Sequence, residues 1–240
     1  MKHIAGILAL FAAAGLTAAT VHVDNVKGDD ANDGSAEQPV ASIERGLALL
    51  KRSDRLEVAP NGGKPYRRPY PGAVGRSLDI RLGGTAEQPM VIDGNGAVIS
   101  GLSAVPADRW KEAGNGVYEL PFWPMSNMYK HYAKQDYWLP ESRIFFVDGK
   151  AAANCLTRAE MEKTPGGFWW SRRQRKLFFR PPEGKTIAEL TVELPANAGF
   201  YVLADHVRVE NFTVILSWND GFDAAGDPRG VHYRNCVAID

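Results

Sequence analysis

The segment Val207-Arg208-Val209-Glu210-Asn211-Phe212-Thr213-Val214-Ile215 returns 24 positions later as Val231-His232-Tyr233-Arg234-Asn235-Cys236-Val237-Ala238-Ile239, with apolar residues and an asparagine in register. A period in the low twenties, with alternating side chains and a recurring Asn, predicts a parallel β-helix. Each strand-turn-strand coil of such a solenoid buries its apolar face only by stacking on the next. The fold class expected is therefore all-β, with function on the outer surface. Asn211 and Asn235, at equivalent positions, predict an asparagine ladder that satisfies buried turn amides.

The chain opens with Lys2 and His3 before an apolar run from Ile4 to Leu16, too short to span a bilayer, and then the small residues Thr17-Ala18-Ala19. This reads as a secretory signal peptide over residues 1–19, cleaved near Ala19; an uncleaved signal-anchor is the alternative. The expectation is a secreted, periplasmic or cell-surface protein with no stable membrane span after cleavage. Over the full sequence 28 basic residues balance 28 acidic ones, so net charge selects no partner, and no nucleic acid is expected. Locally, Arg172, Arg173, Arg175, Lys176 and Arg180 lie in a stretch without an acid, whereas residues 205–240 are rich in Asp. The first patch favours an anionic polymer and the second a cation, although each charge is individually what a solvated turn carries. The two cysteines, Cys155 and Cys236, are expected to be separate thiols, because Cys236 falls where the repeat has Phe212 and a buried Cys behaves as a small hydrophobe.

Val21-His22-Val23 alternates as a first strand and leads into the polar turn Gly28-Asp29-Asp30-Ala31-Asn32-Asp33-Gly34-Ser35. Ile43, Leu47 and Leu50 at helical spacing, with Ser42 able to cap, predict a short helix over 41–51. Arg55–Ala59 and Leu78–Leu82 alternate as strands. Gly34-Ser35-Ala36-Glu37-Gln38-Pro39 recurs as Gly84-Thr85-Ala86-Glu87-Gln88-Pro89, a turn that delivers the chain into the helix first and into the strand Met90-Val91-Ile92 second.

On these three passages, the Gly28–Ile43 region, Gly84–Ile92 and the 24-residue repeat, the chain resembles the right-handed parallel β-helix proteins of the pectate-lyase-like superfamily. The resemblance covers about half of the sequence and implies an N-terminal capping helix over the open end of the solenoid, which also agrees with the need to shield an unpaired first coil. It further implies that residues 103–190 are an inserted, small β-rich subdomain. That stretch contains Gly116–Leu120, Arg143–Lys150 and a hairpin from Gly167-Phe168-Trp169-Trp170 into Leu177-Phe178-Phe179-Arg180. The expected organisation is then a signal peptide (1–19), cap and first coils (20–102), insertion (103–190) and further coils (191–240). The solenoid resumes at Thr191-Val192-Glu193-Leu194, and its last coil reads as truncated. An uncapped last coil at Asp240 suggests either a longer natural product or self-association through that end.

The resemblance implies an exported carbohydrate-active protein acting on a polysaccharide, an anionic one if the basic patch takes part. The residues best placed for chemistry are Asp220 and Asp223 in Asn219-Asp220-Gly221-Phe222-Asp223, followed by Asp227 and Arg229. In β-elimination from a uronic acid, Asp220, Asp223 and Asp227 hold Ca²⁺ against the sugar carboxylate while Arg229 acts as base. In glycoside hydrolysis, one carboxylic acid protonates the leaving oxygen and another carboxylate activates water or attacks. The same residues suit an ordinary Asp-Gly turn. Trp218, His206 and His232 are the expected substrate contacts, with Trp123, Trp138, Trp169, Trp170, Tyr129, Tyr132 and Tyr137 as further sugar-stacking surfaces. The alternative is a non-catalytic glycan-binding or adhesion protein of the same architecture.

Overall fold

The computed structural model describes residues 18–72, 76–121, 144–171 and 173–239. The apolar leader, together with Trp123, Tyr129, Tyr132, Tyr137, Trp138, Arg172 and Asp240, lies outside the described residues. In chain order the first strands are β1 (Thr20–Val23), β2 (Arg55–Val58), β3 (Arg76–Ile80), β4 (Met90–Ser100), β5 (Leu102–Ala104), β6 (Lys111–Glu112) and β7 (Tyr118–Pro121). The middle of the chain adds β8 (Phe146–Val147), β9 (Lys150–Ala151), β10 (Ala153–Asn154), β11 (Gly167–Ser171) and β12 (Lys176–Phe179). The last third holds β13 (Val192–Pro195), β14 (Asn197–Val202), β15 (Val207–Ile215), β16 (Phe222–Ala224), β17 (His232–Arg234) and β18 (Val237–Ile239). The protein is mostly β, and among the described residues no helix is long and apolar enough to cross a membrane.

The two copies of the 24-residue repeat pair in parallel. Strands β17 and β18 lie parallel to β15, with Arg208 opposite His232, Val209 opposite Tyr233 and Ile215 opposite Ile239. The same sheet continues in parallel through β4 and β2 to β1. Because side chains alternate along a strand, the pairing aligns Val21, Leu56, Ile92, Val209 and Tyr233 on the inner face. It aligns His22, Glu57, Asp93, Glu210 and Arg234 on the outer one. A second parallel sheet, in the order β16-β14-β3, turns Leu78, Phe200 and Phe222 toward the same core. Phe200 packs edge-on to Phe212 at 4.8 Å between centroids and stacks with Phe222 at 6.1 Å.

Turn chemistry carries the chain between these sheets. The two echoed hexapeptides adopt one turn: Ser35 Oγ accepts from Gln38 N at 3.1 Å, and Thr85 Oγ1 accepts from Gln88 N at 3.0 Å. After the first, Val40 makes a parallel bridge to Val23 before helix α1 (Ile43–Leu49) begins. Ser42 caps that helix, and Asp30 holds the cap, accepting from Ala41 N, Ser42 N and Ser42 Oγ. At Gly46 an added Cβ would lie 2.5 Å from Val23 and 2.8 Å from Leu56, so the helix presses directly on the first two strands.

The predicted asparagine ladder exists but does a different task. Asn211 and Asn235 sit at φ values of 59° and 49°, a left-handed conformation that Asn tolerates better than most residues. Asn235 Nδ2 donates to Asn211 Oδ1 at 2.9 Å, and Asn211 Nδ2 donates to Asp93 Oδ1 at 2.8 Å. The side chains therefore link successive corners to one another near the surface instead of serving buried amides.

The described residues between 102 and 195 build two other sheets. One has the order β10-β11-β12-β7-β6 and contains the expected hairpin, with Trp170 opposite Leu177; the other has the order β5-β13-β8-β9. Strand β13 pairs antiparallel with β5 and β8, so Thr191–Leu194 does not resume the parallel stack as expected; the return comes at Asn197. The physical reason lies in the partners: Glu193 faces Ala104 and Phe146, and the buried Val192 and Leu194 pack with Val105 and Phe145. Strand β3 ends at Ile80, leaving Leu82 half exposed beyond it. Cys155 and Cys236 are separate free thiols, Cys155 buried and Cys236 packed against the parallel core.

Phe200→Ala removes a fully buried ring that touches two other aromatic side chains, and a loss of about 3–5 kcal/mol is expected in urea unfolding. Asn235→Ala, on an exposed corner, is expected to cost under about 1 kcal/mol in the same measurement.

Candidate functional site

Across the three-stranded parallel sheet the register sets Asp79, Tyr201 and Asp223 in one row, Tyr201 being opposite both carboxylates. Their neighbours Leu78, Ile80, Phe200 and Val202 are buried, so alternation leaves the row on the outer face. With strands about 4.8 Å apart, the row spans roughly 10 Å of surface. Asp79 is held at one end, accepting from Ser77 Oγ at 2.6 Å and pairing with Arg81 at 2.5 Å. A cavity of about 570 Å³ runs along the free edge of β3 beneath helix α1, with Ser77, Asp79 and Arg81 in its wall.

Asp220 lies at the corner before β16, three residues ahead of Asp223. Its carbonyl accepts from Gly199 N at 2.8 Å, and its carboxylate accepts from Asn219 Nδ2. The approach of the two chains here requires glycine, since a Cβ on Gly199 would lie 1.8 Å from the Gly221 carbonyl oxygen. Partial burial, followed by repulsion from Asp223, pushes the Asp220 carboxyl above its ordinary pKa. Burial also raises Tyr201, and Asp223, Asp79 and Asp220 add to the rise, so its phenol stays protonated as a donor. Tyr233 closes the back of the site: its hydroxyl donates to the Asp223 carbonyl at 2.6 Å, and burial raises its pKa to about 12.

Of the residues expected at the site, Asp220 and Asp223 come together and the others do not. Arg229 and His206 belong to a separate stack of turns, where Arg229 N donates to Asp205 Oδ1 at 2.8 Å and the Arg229 carbonyl accepts from His206 N at 2.7 Å. Asp227 is an exposed turn residue at φ 55°. No group of three or more His, Cys, Asp or Glu side chains able to hold a metal occurs among the described residues, so Asp220, Asp223 and Asp227 do not form the expected Ca²⁺ cage. His232 lies exposed on the other parallel sheet, opposite Arg208. Trp218 is buried with Trp110, Phe145 and Phe179, its ring committed to packing instead of a sugar face. Trp169 stacks on Phe178 at 5.4 Å, and Trp170 is half buried against the core that holds Trp218. In the basic hairpin, Lys176 pairs with Glu119 at 2.7 Å and Arg180 donates to the Glu162 carbonyl.

Asp79 and Tyr201 were absent from the sequence expectation, and the signal for Tyr201 was available. Asn197-Ala198-Gly199-Phe200-Tyr201 returns 22 positions later as Asn219-Asp220-Gly221-Phe222-Asp223, which aligns Tyr201 with Asp223. Asp79 has no such echo.

The sequence matches no protein-family model and no curated protein. Among solved structures the chain is similar in fold to XylC in its complex with xylose, at a TM-score of 0.50 and 13% identity over 84% of this chain. It spans 36% of XylC, about a third of that protein. Weaker likenesses link it to a glycoside hydrolase (TM-score 0.42, 14% identity, 83% of this chain and 51% of that one). A rhamnogalacturonan lyase follows (TM-score 0.34, 10% identity, 92% and 51%).

A carboxyl with a raised folded-state pKa holds its proton more tightly in the fold than in the unfolded chain. It therefore subtracts stability above the unfolded pKa, and the penalty disappears as the pH falls below it. Asp220→Asn is accordingly expected to raise Tm at pH 7, by the equivalent of less than about 1 kcal/mol. At about pH 2.5, where the aspartic acid is already neutral, Tm is expected to be unchanged.

Proposed function

We propose that the chain is part of an exported carbohydrate-active protein with a right-handed parallel β-helix spine, which cleaves a polysaccharide by glycoside hydrolysis at the Asp220–Asp223 pair. The observation that carries this reading is the row of Asp79, Tyr201 and Asp223 on the outer face of the three-stranded sheet, with Asp220 at the corner just before β16 and close enough to feel the Asp223 charge. Hydrolysis of a glycosidic bond needs one carboxyl that protonates the leaving oxygen and another that activates water or attacks. Asp220, partly desolvated, holds a proton longer and donates it to the departing glycosidic oxygen. Asp223 takes the second role, activating water or attacking the anomeric carbon. Tyr201, between Asp223 and Asp79 in the row, donates its hydroxyl to the sugar. Asp79 and the cavity along β3 extend the contact surface on the side away from Asp223.

β-Elimination is less well served by this geometry. It calls for a base and a cation-holding cage, whereas the Arg229 backbone is set in the turn stack with Asp205 and His206, and no group of three acidic side chains able to hold a metal occurs among the described residues. The fold likeness to a protein solved with xylose accords with a sugar ligand. The leader at residues 1–19 supports export.

Incubation with neutral and uronate-bearing glycans, with and without Ca²⁺, tests the reading. New reducing ends without double-bond absorbance are expected. Asp220→Asn and Asp223→Asn are each expected to lower kcat/KM by roughly 10²–10⁴-fold while leaving the folded state intact by circular dichroism. Turnover that survives both substitutions would remove the pair from catalysis, and saturable binding without turnover would leave a glycan-binding protein.

A further inference from the structure

Arg68, in the segment between β2 and β3, carries a charge that the fold buries and does not fully satisfy. Its side chain is 5% exposed. Its own carbonyl accepts from Ser103 Oγ at 2.9 Å, and Nη2 donates to the Ala198 carbonyl. Nε stands 3.6 Å from Glu44 Oε1, too far for a hydrogen bond. Among the described residues neither Nε nor Nη1 has a hydrogen-bond partner. A guanidinium offers five N–H donors, and leaving such groups dry and unmet is costly, more so for a charged group. Burial lowers the Arg68 pKa to about 10, and Arg76 adds repulsion against the attraction of Glu44 and Asp79.

These unmet donors belong to a side chain that lines a cavity of about 200 Å³ under the start of helix α1, together with Ser42, Glu44, Tyr66, Leu78 and Ile99. Glu44 and Leu78 also line the larger cavity along β3, which Arg76 borders. Of the nearby charges, Arg67 is taken up by Glu193 and Arg81 by Asp79. Arg76 is exposed to solvent, so the buried cation that faces this space is Arg68, with Glu44 3.6 Å from its Nε.

We propose that this cavity binds a small organic monoanion, recognised by a carboxylate that accepts from Arg68. A carboxylate supplies what the site lacks, lone pairs for the unmet N–H groups, and its charge is attracted by the guanidinium. The remainder of the ligand lies against Leu78 and Ile99, and the volume admits several heavy atoms beyond the carboxylate. Glu44 competes for the same guanidinium, which keeps the affinity modest. The site lies apart from the Asp220–Asp223 pair and does not depend on the hydrolytic reading.

Isothermal titration of the full chain with sodium formate and sodium acetate, at constant ionic strength and pH 7, tests this directly. One saturable site with a Kd on the order of 1 mM is expected for ligands of this size. Glu44→Gln removes the competing carboxylate and is expected to tighten acetate binding about fivefold or more, whereas Arg68→Met is expected to abolish it. Absence of saturable binding to the unaltered protein, or binding retained in Arg68→Met, would overturn the proposal. Should Arg68→Met fail to fold, Glu44→Gln decides alone: unchanged or weaker acetate binding sinks the assignment.

Discussion

In-register parallel pairing is the constraint from which the rest of the molecule follows. Strand β15 lies between β4 and the β17–β18 pair, and each partner matches it residue for residue except at one corner, where Gly94–Gly96 are set against Asn211 alone. A slip of one residue would turn Val207, Val209, Phe212 and Val214 out of the core together and bring the outer charges in. The register is therefore held by the burial of a whole column of side chains. Where the backbone turns the corner, Asp93, Asn211 and Asn235 continue the same alignment through side-chain hydrogen bonds.

The same pairing decides what the surface can do. On the three-stranded sheet it places Asp79 beside Tyr201 although they are far apart in the chain, and it places Asp223 on the other side. A stack of this kind turns one residue per strand into a row with regular spacing, so titratable groups on neighbouring strands couple through short distances. Asp220 and Tyr201 both respond to that proximity, as well as to their partial burial. Residues one turn further along the chain, such as Arg229 and His206, enter a different row and lose contact with the carboxylates.

The antiparallel sheets follow a different logic. Their aromatic side chains, Trp110, Phe145, Phe168 and Phe179 among them, form a core of their own, and Trp218 reaches into it from the corner after β15. Polar links tie the two regions together: Arg67 meets Glu193, and Asn197 donates to Ser103 Oγ at 2.6 Å. These contacts accompany the pairing of β13 with β5, and among the described residues Trp169, Trp170 and Trp218 pack against the aromatic cores.

Local chemistry made much of this readable from residue order. The 24-residue echo specified a parallel neighbour for β15, Ser42 specified the start of helix α1, and the Ser35 and Thr85 hexapeptides specified a shared turn, because each depends on side chains close in sequence or repeated at a fixed period. Asp220 and Asp223 stand three residues apart in the sequence, so their nearness was legible for the same reason. What residue order left open were the meetings between distant segments: Asp79 with Tyr201, Arg68 with Glu44, Trp218 with the aromatic core, and the antiparallel placement of Thr191–Leu194. Those depend on which surfaces face each other after the chain has packed, and no local periodicity encodes them. The sequence by itself thus determined the parallel partner of β15 and the turns of the echoed hexapeptides, through alternation and turn propensity. Tertiary structure alone decided which charges share a row and which aromatics are buried, because burial and charge coupling exist only once separate strands are brought within a few ångströms of one another.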